Sequence, residues 1–408
     1  MTSGEVRAAL RIAVVGGSLG GLTAALLLRD LGHDVDVYER SSAELKERGA
    51  GIGFLEASYR YLADRAGLSL DHIAIATDHI RYLRRDGSLR YEAVQSYRFS
   101  SWTTVYRHLL ACWGSDRYHL GADMTGFDQT DDEVTVHFAG SPPVRCDLLV
   151  CADGVSSTAR SQLVPDAGPA YAGYVAWRGT VPEAELPAAT AARFGDAITY
   201  YVLADSHILV YPIPGADGSL EPGRRLLNFV WYRNYLAGDD LDDLMTGADG
   251  VRREISLPPG SVRAEHMAEA RAVASARLPE PMAEVVNAVA DPFVQVIYDI
   301  EVSRMAFGRV CLIGDAAFAV RPHAAAGTAK AAADGWALAS ALADTGTDVP
   351  AALARWEPGQ LDLGGRLLER TRRIGSRSQV DNSWDPADPE LIFGLEGPGA
   401  SSGRPGRS

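Results

Sequence analysis

Residues 11–40 read RIAVVGGSLGGLTAALLLRDLGHDVDVYER, and the order of textures in this stretch decides the fold. Ile12 to Val15 is an apolar run of strand length. A glycine-rich turn follows, Gly16-Gly17-Ser18-Leu19-Gly20-Gly21. Leu22 to Leu31 predicts a helix, apolar on most faces, that Gly32 stops. Asp34 to Tyr38 predicts a second strand, with Glu39 at its end. Strand, glycine turn, helix, strand and acid in this order form a βαβ unit suited to a dinucleotide. Gly16 permits the tight turn, and Gly21 lets helix and strand pack closely. The helix N-terminus offers unsatisfied N–H groups to a pyrophosphate, and Glu39 is placed to accept from ribose hydroxyls. Ser18 stands where GxGxxG has its middle glycine; it is small enough to keep the backbone near a phosphate. The alternative reading is a doubly wound core without a ligand.

The bulk properties narrow the rest. A chain of 408 residues has room for about two to three domains. Its 47% apolar content is that of an ordinary globular protein. A net charge of −14 argues against nucleic acid and anionic membrane surfaces as partners. Cys112, Cys146, Cys151 and Cys311 form no CxxC pair, and no histidines cluster near them, so no metal site is expected. Buried, reduced thiols fit a cytoplasmic protein. The N-terminal stretch lacks the pattern of a secretory signal. No window reaches the ~20 apolar residues of a membrane span.

Beyond Glu39 a polar helix start is expected after Arg40-Ser41-Ser42. Gly49 to Gly53 form a second glycine-rich turn, either a plain loop or backbone lying against a flat ligand through Gly51 and Ile52. Ser58 to Ala66 predicts a helix. Ile80 to Leu83 and Leu89 to Glu92 flank Asp86-Gly87 as a hairpin. Val105 to Trp113 predicts a helix carrying Arg107. His119 to Met124 is a strand running into a turn, and Val134 to Phe138 is a strand closed by Gly140-Ser141-Pro142-Pro143. Cys146 to Ala152 is a strongly apolar strand ending in Asp153-Gly154. From Tyr171 the texture changes to strands rich in Tyr and Trp, at 172–177, 198–203, 207–212 and 226–232, as in an antiparallel sheet. Helices are expected at 241–245, 264–276 and 282–290, and a strand at 294–300. Arg309 to Ile313 is again a buried strand, ending Gly314-Asp315. Thr328 to Ala343 predicts an alanine-rich helix. A last helix is expected from about Asp362 to Ser378, its arginines on a solvated face.

The expected fold is α/β, with a discontinuous Rossmann-like domain, an inserted antiparallel-sheet substrate domain and C-terminal helices. Segments 1–78, 100–170 and 295–380 belong to the first, 79–99 and 171–294 to the second, and 396–408 is an expected disordered tail. A ligand touching the Gly16, Asp153 and Gly314 turns must be long, as FAD is.

The turn GGSLGG, the stretch CADGVSSTAR and the stretch RVCLIGDAAFAVRPHAAAG occur in one order over about residues 10–380. Together they resemble the motifs of the single-component FAD-dependent aromatic hydroxylases of the para-hydroxybenzoate hydroxylase type. YAGYVAWRGTV (171–181), LVYPIPG (209–215), LNFVWYRN (227–234) and RPHAAAGTAKAAAD (321–334) resemble members of that family that act on hydroxypyridines. The resemblance implies that Gly16, Ser18, Leu19 and Gly21 hold the pyrophosphate, and Glu39 with Arg40 the adenosine ribose. It further implies that Arg107 meets the pyrophosphate region and that Met124 offers its backbone to adenine. Asp153 would hold structure between the flavin and nicotinamide sites, and Asp315 would bind the ribityl chain. Pro322 and the turn Ala325-Ala326-Gly327-Thr328-Ala329 would lie along the isoalloxazine. That turn departs from the family's GxGxN, which leaves backbone N–H groups at a helix N-terminus to face the flavin carbonyl.

The activity implied is hydroxylation of a small electron-rich aromatic or heteroaromatic substrate, hydroxypyridine-like, with NADH or NADPH as transient cosubstrate and O₂ as oxidant, through a C4a-hydroperoxyflavin. A homodimer is a family expectation. For ionising a ring hydroxyl, His323 is the first candidate, with Tyr211 and His207 behind it. Tyr201, Tyr211, Trp231 and His323 are the candidate substrate contacts. Halogenases of this fold carry a WxWxIP motif that the chain lacks. An epoxidase, a decarboxylating hydroxylase, a dehydrogenase and a non-catalytic flavin-binding protein stay open.

Overall fold

The computed structural model describes residues 9–45 and 51–400. Gly49 and Ala50 of the second glycine-rich turn, and residues 401–408 of the expected tail, lie outside them.

A six-stranded sheet runs, in spatial order, Ala306–Phe307, Val310–Leu312, Leu148–Cys151, Arg11–Val15, Asp34–Glu39, Tyr118–Leu120. All its pairings are parallel except that of the short Ala306–Phe307 edge. Every residue of Leu148–Cys151 is buried, the signature of a parallel strand covered on both faces. Three turns leave one edge of this sheet: Gly16 to Ser18, Ala152 to Gly154, and Gly314 to Asp315. The chain's beginning, middle and end therefore meet at the carboxyl ends of adjacent strands, where open α/β sheets bind ligands.

The first helix spans Leu19–Asp30, three residues earlier than the pattern suggested, taking in Leu19, Gly20 and Gly21 of the glycine-rich turn. It is buried nearly all round, wedged between the sheet and the Gly327–Thr345 helix. Small residues allow that approach: a Cβ on Gly335 would lie 3.1 Å from the Ala24 Cα.

The second sheet has nine strands, in order Ser256–Leu257, Phe293–Asp299, Ala170–Pro182, Leu226–Asn234, Ser206–Ile213, Ala197–Leu203, Ile75–Leu83, Leu89–Ser101, Gly51–Gly53. It is antiparallel except where Ala197–Leu203 pairs with Ile75–Leu83 in parallel. That pairing brings the early hairpin into the sheet built from the middle of the chain. One face packs on the Ala264–Arg277 and Glu280–Ala288 helices. The other faces the parallel domain and the C-terminal segment.

Several expectations are corrected. Gly51–Gly53 is an edge strand rather than a turn, because its backbone completes the sheet beside Phe99 to Ser101. Ser141–Cys146 is a strand, not a closing turn; it is the edge of a three-stranded sheet, where Pro142 and Pro143 forfeit no ladder bond the sheet needs. No helix starts between Ser41 and Leu45. The last helix runs Val349–Gln379, starting well before Asp362, with Pro358 inside it. Its arginines are not all solvated: Arg370 is buried. Residues 397–400 form a hydrogen-bonded turn, Gly397 bridging Ala400, rather than the start of a disordered tail. Among the described residues no helix is long and apolar enough to cross a membrane.

A buried ion pair joins the Gly327–Thr345 helix to the sheet edge. Lys330 Nζ and the Gly314 N–H both donate to Asp334 Oδ2, each at 2.8 Å. Both side chains are essentially inaccessible to solvent. Breaking such a pair strands one charge. Asp334→Ala should destabilise the chain by about 3–5 kcal/mol, while K330M/D334L recovers most of that loss; chemical denaturation measures both.

Candidate active site

The glycine turn is built by exclusion of side chains. Gly16 has φ +102°, and a Cβ there would sit 2.1 Å from the Ala152 carbonyl oxygen. A Cβ on Gly21 would sit 1.8 Å from the Gly16 carbonyl oxygen. Ser18 is extended and its hydroxyl caps no N–H. The first-turn N–H groups therefore stay available at the positive end of the helix.

They face a cavity of about 400 Å³. Ser18, Leu19, Gly21, Gly154, Asp315, Gly327 and Thr328 line one end of it. The Gly327–Thr345 helix also starts there, again without a side-chain cap, so two helix N-termini converge on one space. Asp315 opens onto it; desolvation raises its carboxyl pKa, opposed by Lys330 and Arg160. Ala325 holds φ +53°, the left-handed conformation that the glycine of the family's turn adopts freely.

The other end is walled by the nine-stranded sheet. Strand alternation sends Arg178, Leu209, Tyr211, Val230, Tyr232 and Gln295 into the cavity. Arg178 donates to the Gly51 carbonyl at 2.8 Å and to Gln295 at 3.2 Å. Asn228 Oδ1 accepts from the Gly51 N–H at 2.8 Å, so Gly51 is held from both sides. The ring of Tyr211 stacks on Phe99 at 4.3 Å. Burial pushes the Tyr211 hydroxyl up to about 12, with Arg178 pulling it back. It is a neutral donor at ordinary pH.

The structure thus gathers Ser18, Leu19, Gly21, Gly51, Ile52, Tyr211, Asp315, Pro322, Ala325, Gly327 and Thr328 around one cavity. Gly16 and Ala329 do not line it. Other expected residues stand elsewhere. Glu39 is buried, and its two oxygens accept from the Gly17 and Ser41 N–H groups at 2.9 Å each, tying the glycine turn to the strand end. Asp153 Oδ2 accepts from the Ala159 N–H at 3.2 Å, while its Oδ1 is buried without a partner. Arg40 and Arg107 are exposed, and Met124 is buried at the start of its strand.

Three expected substrate contacts, Trp231, Tyr201 and His323, and the candidate base His207 are displaced. Trp231 and Tyr201 lie on the opposite sheet face, against the helices; Trp231 donates to Ser206 at 3.0 Å. A one-residue parity error is enough to reverse a strand's faces. His207 has the right parity but sits beyond the cavity, 4.9 Å from the Trp384 ring. His323 is within 2.7 Å of the Tyr174 hydroxyl, behind Tyr232 and not in the cavity wall. Burial lowers the His207 pKa to about 3. His323 is driven well below its ordinary value by burial, then by His207 and Arg321. Neither is a base in contact with the cavity.

Arg178, Asn228, Tyr232, Gln295 and Phe393 carry no motif in the sequence, yet all but Asn228 line the cavity. Period-two counting from Tyr174 would have found Arg178, a lone charge inside an apolar strand. Nothing local marks Phe393.

Comparison with known proteins agrees with this architecture. A family model described as an FAD binding domain matches residues 9–232 and 294–370, and another, FAD binding domain-like, matches 171–299. The chain is 38% identical over 386 residues to 2,6-dihydroxypyridine 3-monooxygenase of Paenarthrobacter nicotinovorans, covering 94% of this chain and 96% of the relative. The solved structure of 2,6-dihydroxypyridine-3-hydroxylase from Arthrobacter nicotinovorans superposes with a TM-score of 0.91 at 37% identity, covering 97% of this chain and 99% of that one. A Klebsiella pneumoniae protein solved with FAD and uric acid shares the fold, with a TM-score of 0.73 at 24% identity, covering 94% of this chain and 90% of that one.

Two outcomes follow from this site. Ala325→Gly should stabilise the chain by about 0.5–1 kcal/mol, the relief of left-handed strain less the added unfolded-state entropy; chemical denaturation reads the gain. The buried imidazoles set a pH dependence. Their neutrality carries no penalty above the unfolded value near 6.5, and stability is lost as pH falls below it, because only the unfolded chain takes up the proton. The slope should be about 1.4 kcal/mol per pH unit per histidine. His207→Phe should remove one histidine's share of that slope between pH 6.5 and 5.

Proposed function

Since the chain belongs to the FAD-dependent aromatic hydroxylase family, we propose that this FAD-dependent monooxygenase hydroxylates a hydroxypyridine-like ring, with NADH or NADPH as transient cosubstrate and O₂ as oxidant. The observation that carries this reading is one cavity joining two helix N-termini to an aromatic chamber with a single guanidinium, Arg178. The 38% identity to a dihydroxypyridine monooxygenase supports the substrate class.

The residues fit FAD. The uncapped first turn at Ser18 to Gly21 suits the pyrophosphate, Asp315 the ribityl hydroxyls, and the Gly327 helix start an electron-rich flavin carbonyl. The orphaned Asp153 Oδ1 leaves a buried acceptor beside the same turn. When bound, FAD supplies the redox chemistry between nicotinamide and oxygen.

The chain's own side chains do the rest. Arg178 stands in the chamber wall with Tyr211 and Tyr232, and its positive charge pulls both hydroxyl pKa values down against the larger rise that burial imposes. It does the same for a ring hydroxyl of the substrate, which makes the ring more nucleophilic. Tyr211, neutral and buried, donates to a ring oxygen. Gln295 offers an amide to a ring nitrogen or carbonyl. Leu209, Val230 and Phe99 exclude water, which otherwise diverts the oxidant to hydrogen peroxide. This assigns to Arg178 the ionising role that the sequence suggested for His323.

Loaded with FAD, the protein should oxidise NADH or NADPH faster when 2,6-dihydroxypyridine is present. With ¹⁸O₂ the product should carry one label; an unlabelled product would make the chain a dehydrogenase. Arg178→Gln should raise the substrate KM by about 10- to 100-fold, the worth of a charge-assisted hydrogen bond.

A further inference from the structure

The C-terminal segment after Gln379 reaches back across the cavity face of the nine-stranded sheet. Trp384 begins it: its indole N–H donates to the Tyr82 hydroxyl at 3.3 Å, and its ring covers His207. Phe393 ends it, as part of the cavity wall. The Phe393 ring lies 4.5 Å from that of Tyr97, and its N–H donates to the Tyr97 hydroxyl at 3.2 Å. The next N–H, of Gly394, donates to the Ala324 carbonyl at 3.3 Å, in the loop that carries Pro322 and Ala325. The strap therefore bridges the sheet and the loop at one side of the cavity, beside Gly53 and Ala325. There a Cβ on Gly53 would meet the Ala325 Cβ at 2.5 Å.

An unusual clamp holds the strap down. The buried Arg370 donates to the carbonyls of Glu390 and Gly394 at 2.9 Å each and to that of Ile392. A guanidinium's rigid fork of donors suits several fixed acceptors at once. One turn along the same helix Arg373 pairs with Glu390 at 3.1 Å, and two turns along Arg377 pairs with Asp388 and Glu390. A charge taken out of water and given three carbonyls is costly to keep, so its geometry is a constraint on the strap rather than a surface accident.

We infer that Phe393, positioned by Arg370, sets the size of the ring that the cavity admits. Phe393 is the large side chain in the wall that comes from neither sheet nor parallel domain, and the clamp fixes its depth. With the benzyl group in place the chamber is limited to a single ring; without it, the space beside Gly53 and Ala325 opens to a fused second ring. This inference rests on the hydroxylase reading above, and Arg370 acts through Phe393 rather than on substrate.

The test uses the full chain loaded with FAD, with 2,6-dihydroxypyridine as the monocyclic probe and 2,4-dihydroxyquinoline as the bicyclic one. Dissociation constants come from perturbation of the flavin absorbance, and kcat/KM and peroxide release from turnover. In Phe393→Ala the preference for monocycle over bicycle should fall by at least about tenfold in both dissociation constant and kcat/KM, with peroxide rising. Phe393→Leu, which keeps the wall partly filled, should give a smaller shift in the same direction and serves if the alanine variant does not fold. Arg370→Gln should shift the preference the same way, and the double variant should shift it no further than Phe393→Ala alone. An unchanged preference in Phe393→Ala, or in Phe393→Leu if only that variant folds, overturns the inference, as does an additive double variant. If the wild type turns over neither probe, the activity reading fails on its own, and the ratio of dissociation constants still decides the role of Phe393.

Discussion

Two backbone carbonyls leave no room for side chains at the turn after the first strand, and the rest of the molecule is arranged around that crowding. The Ala152 oxygen occupies the place of any side chain at Gly16, and the Gly16 oxygen occupies the place of any side chain at Gly21. The helix can therefore start against the strand end, with its free N–H groups aimed outward. Tyr118 closes the same turn from the far side by donating to the Gly17 carbonyl at 2.8 Å. Glu39 holds Gly17 through its N–H. A net charge of −14 does not prevent such a site from receiving an anion, because the favourable potential here comes from oriented peptide dipoles rather than from lysines.

The parts of the fold written in local pattern were legible. The first βαβ unit, the three turns at one sheet edge and the aromatic strands follow from apolar runs and glycine spacing, which depend on near neighbours alone. What failed depends on partners far along the chain. The faces of the aromatic strands are fixed by register against neighbouring strands, so Trp231 and Tyr201 were assigned to the cavity when their helix-facing side was equally compatible with the sequence. His323 stood beside Pro322 in the sequence, but the tight turn through Pro322 to Ala324 points the imidazole inward toward Tyr174 while the proline faces the cavity. The arginines of the last helix looked like a solvated face because the strap that they hold has no apolar period of its own.

Charge inside the molecule follows two different rules. Lys330 and Asp334 are hidden together and serve the frame, since the pair connects a helix to the Gly314 turn. Arg178 is half-buried and pairs with no carboxylate among the described residues, its hydrogen bonds going to a carbonyl and an amide. A guanidinium satisfied only by neutral groups keeps an unspent attraction for an anion. His207 and His323 show the reverse case: deep among tyrosines and a tryptophan, they remain uncharged and act as aromatic packing.

The strand order of the parallel sheet has a consequence for how the protein comes into being. Arg11–Val15 is made first, yet its neighbour Leu148–Cys151 emerges only after well over a hundred further residues, and Val310–Leu312 after as many again. A ribosome adds roughly 5–20 residues per second, so the glycine turn waits many seconds before the strand ends that complete its pocket exist. During synthesis the nascent chain holds half a cradle, with an exposed sheet edge and no means of retaining a dinucleotide. Cofactor capture is thus a late event in the life of each molecule, and it marks the passage from unfinished chain to folded product.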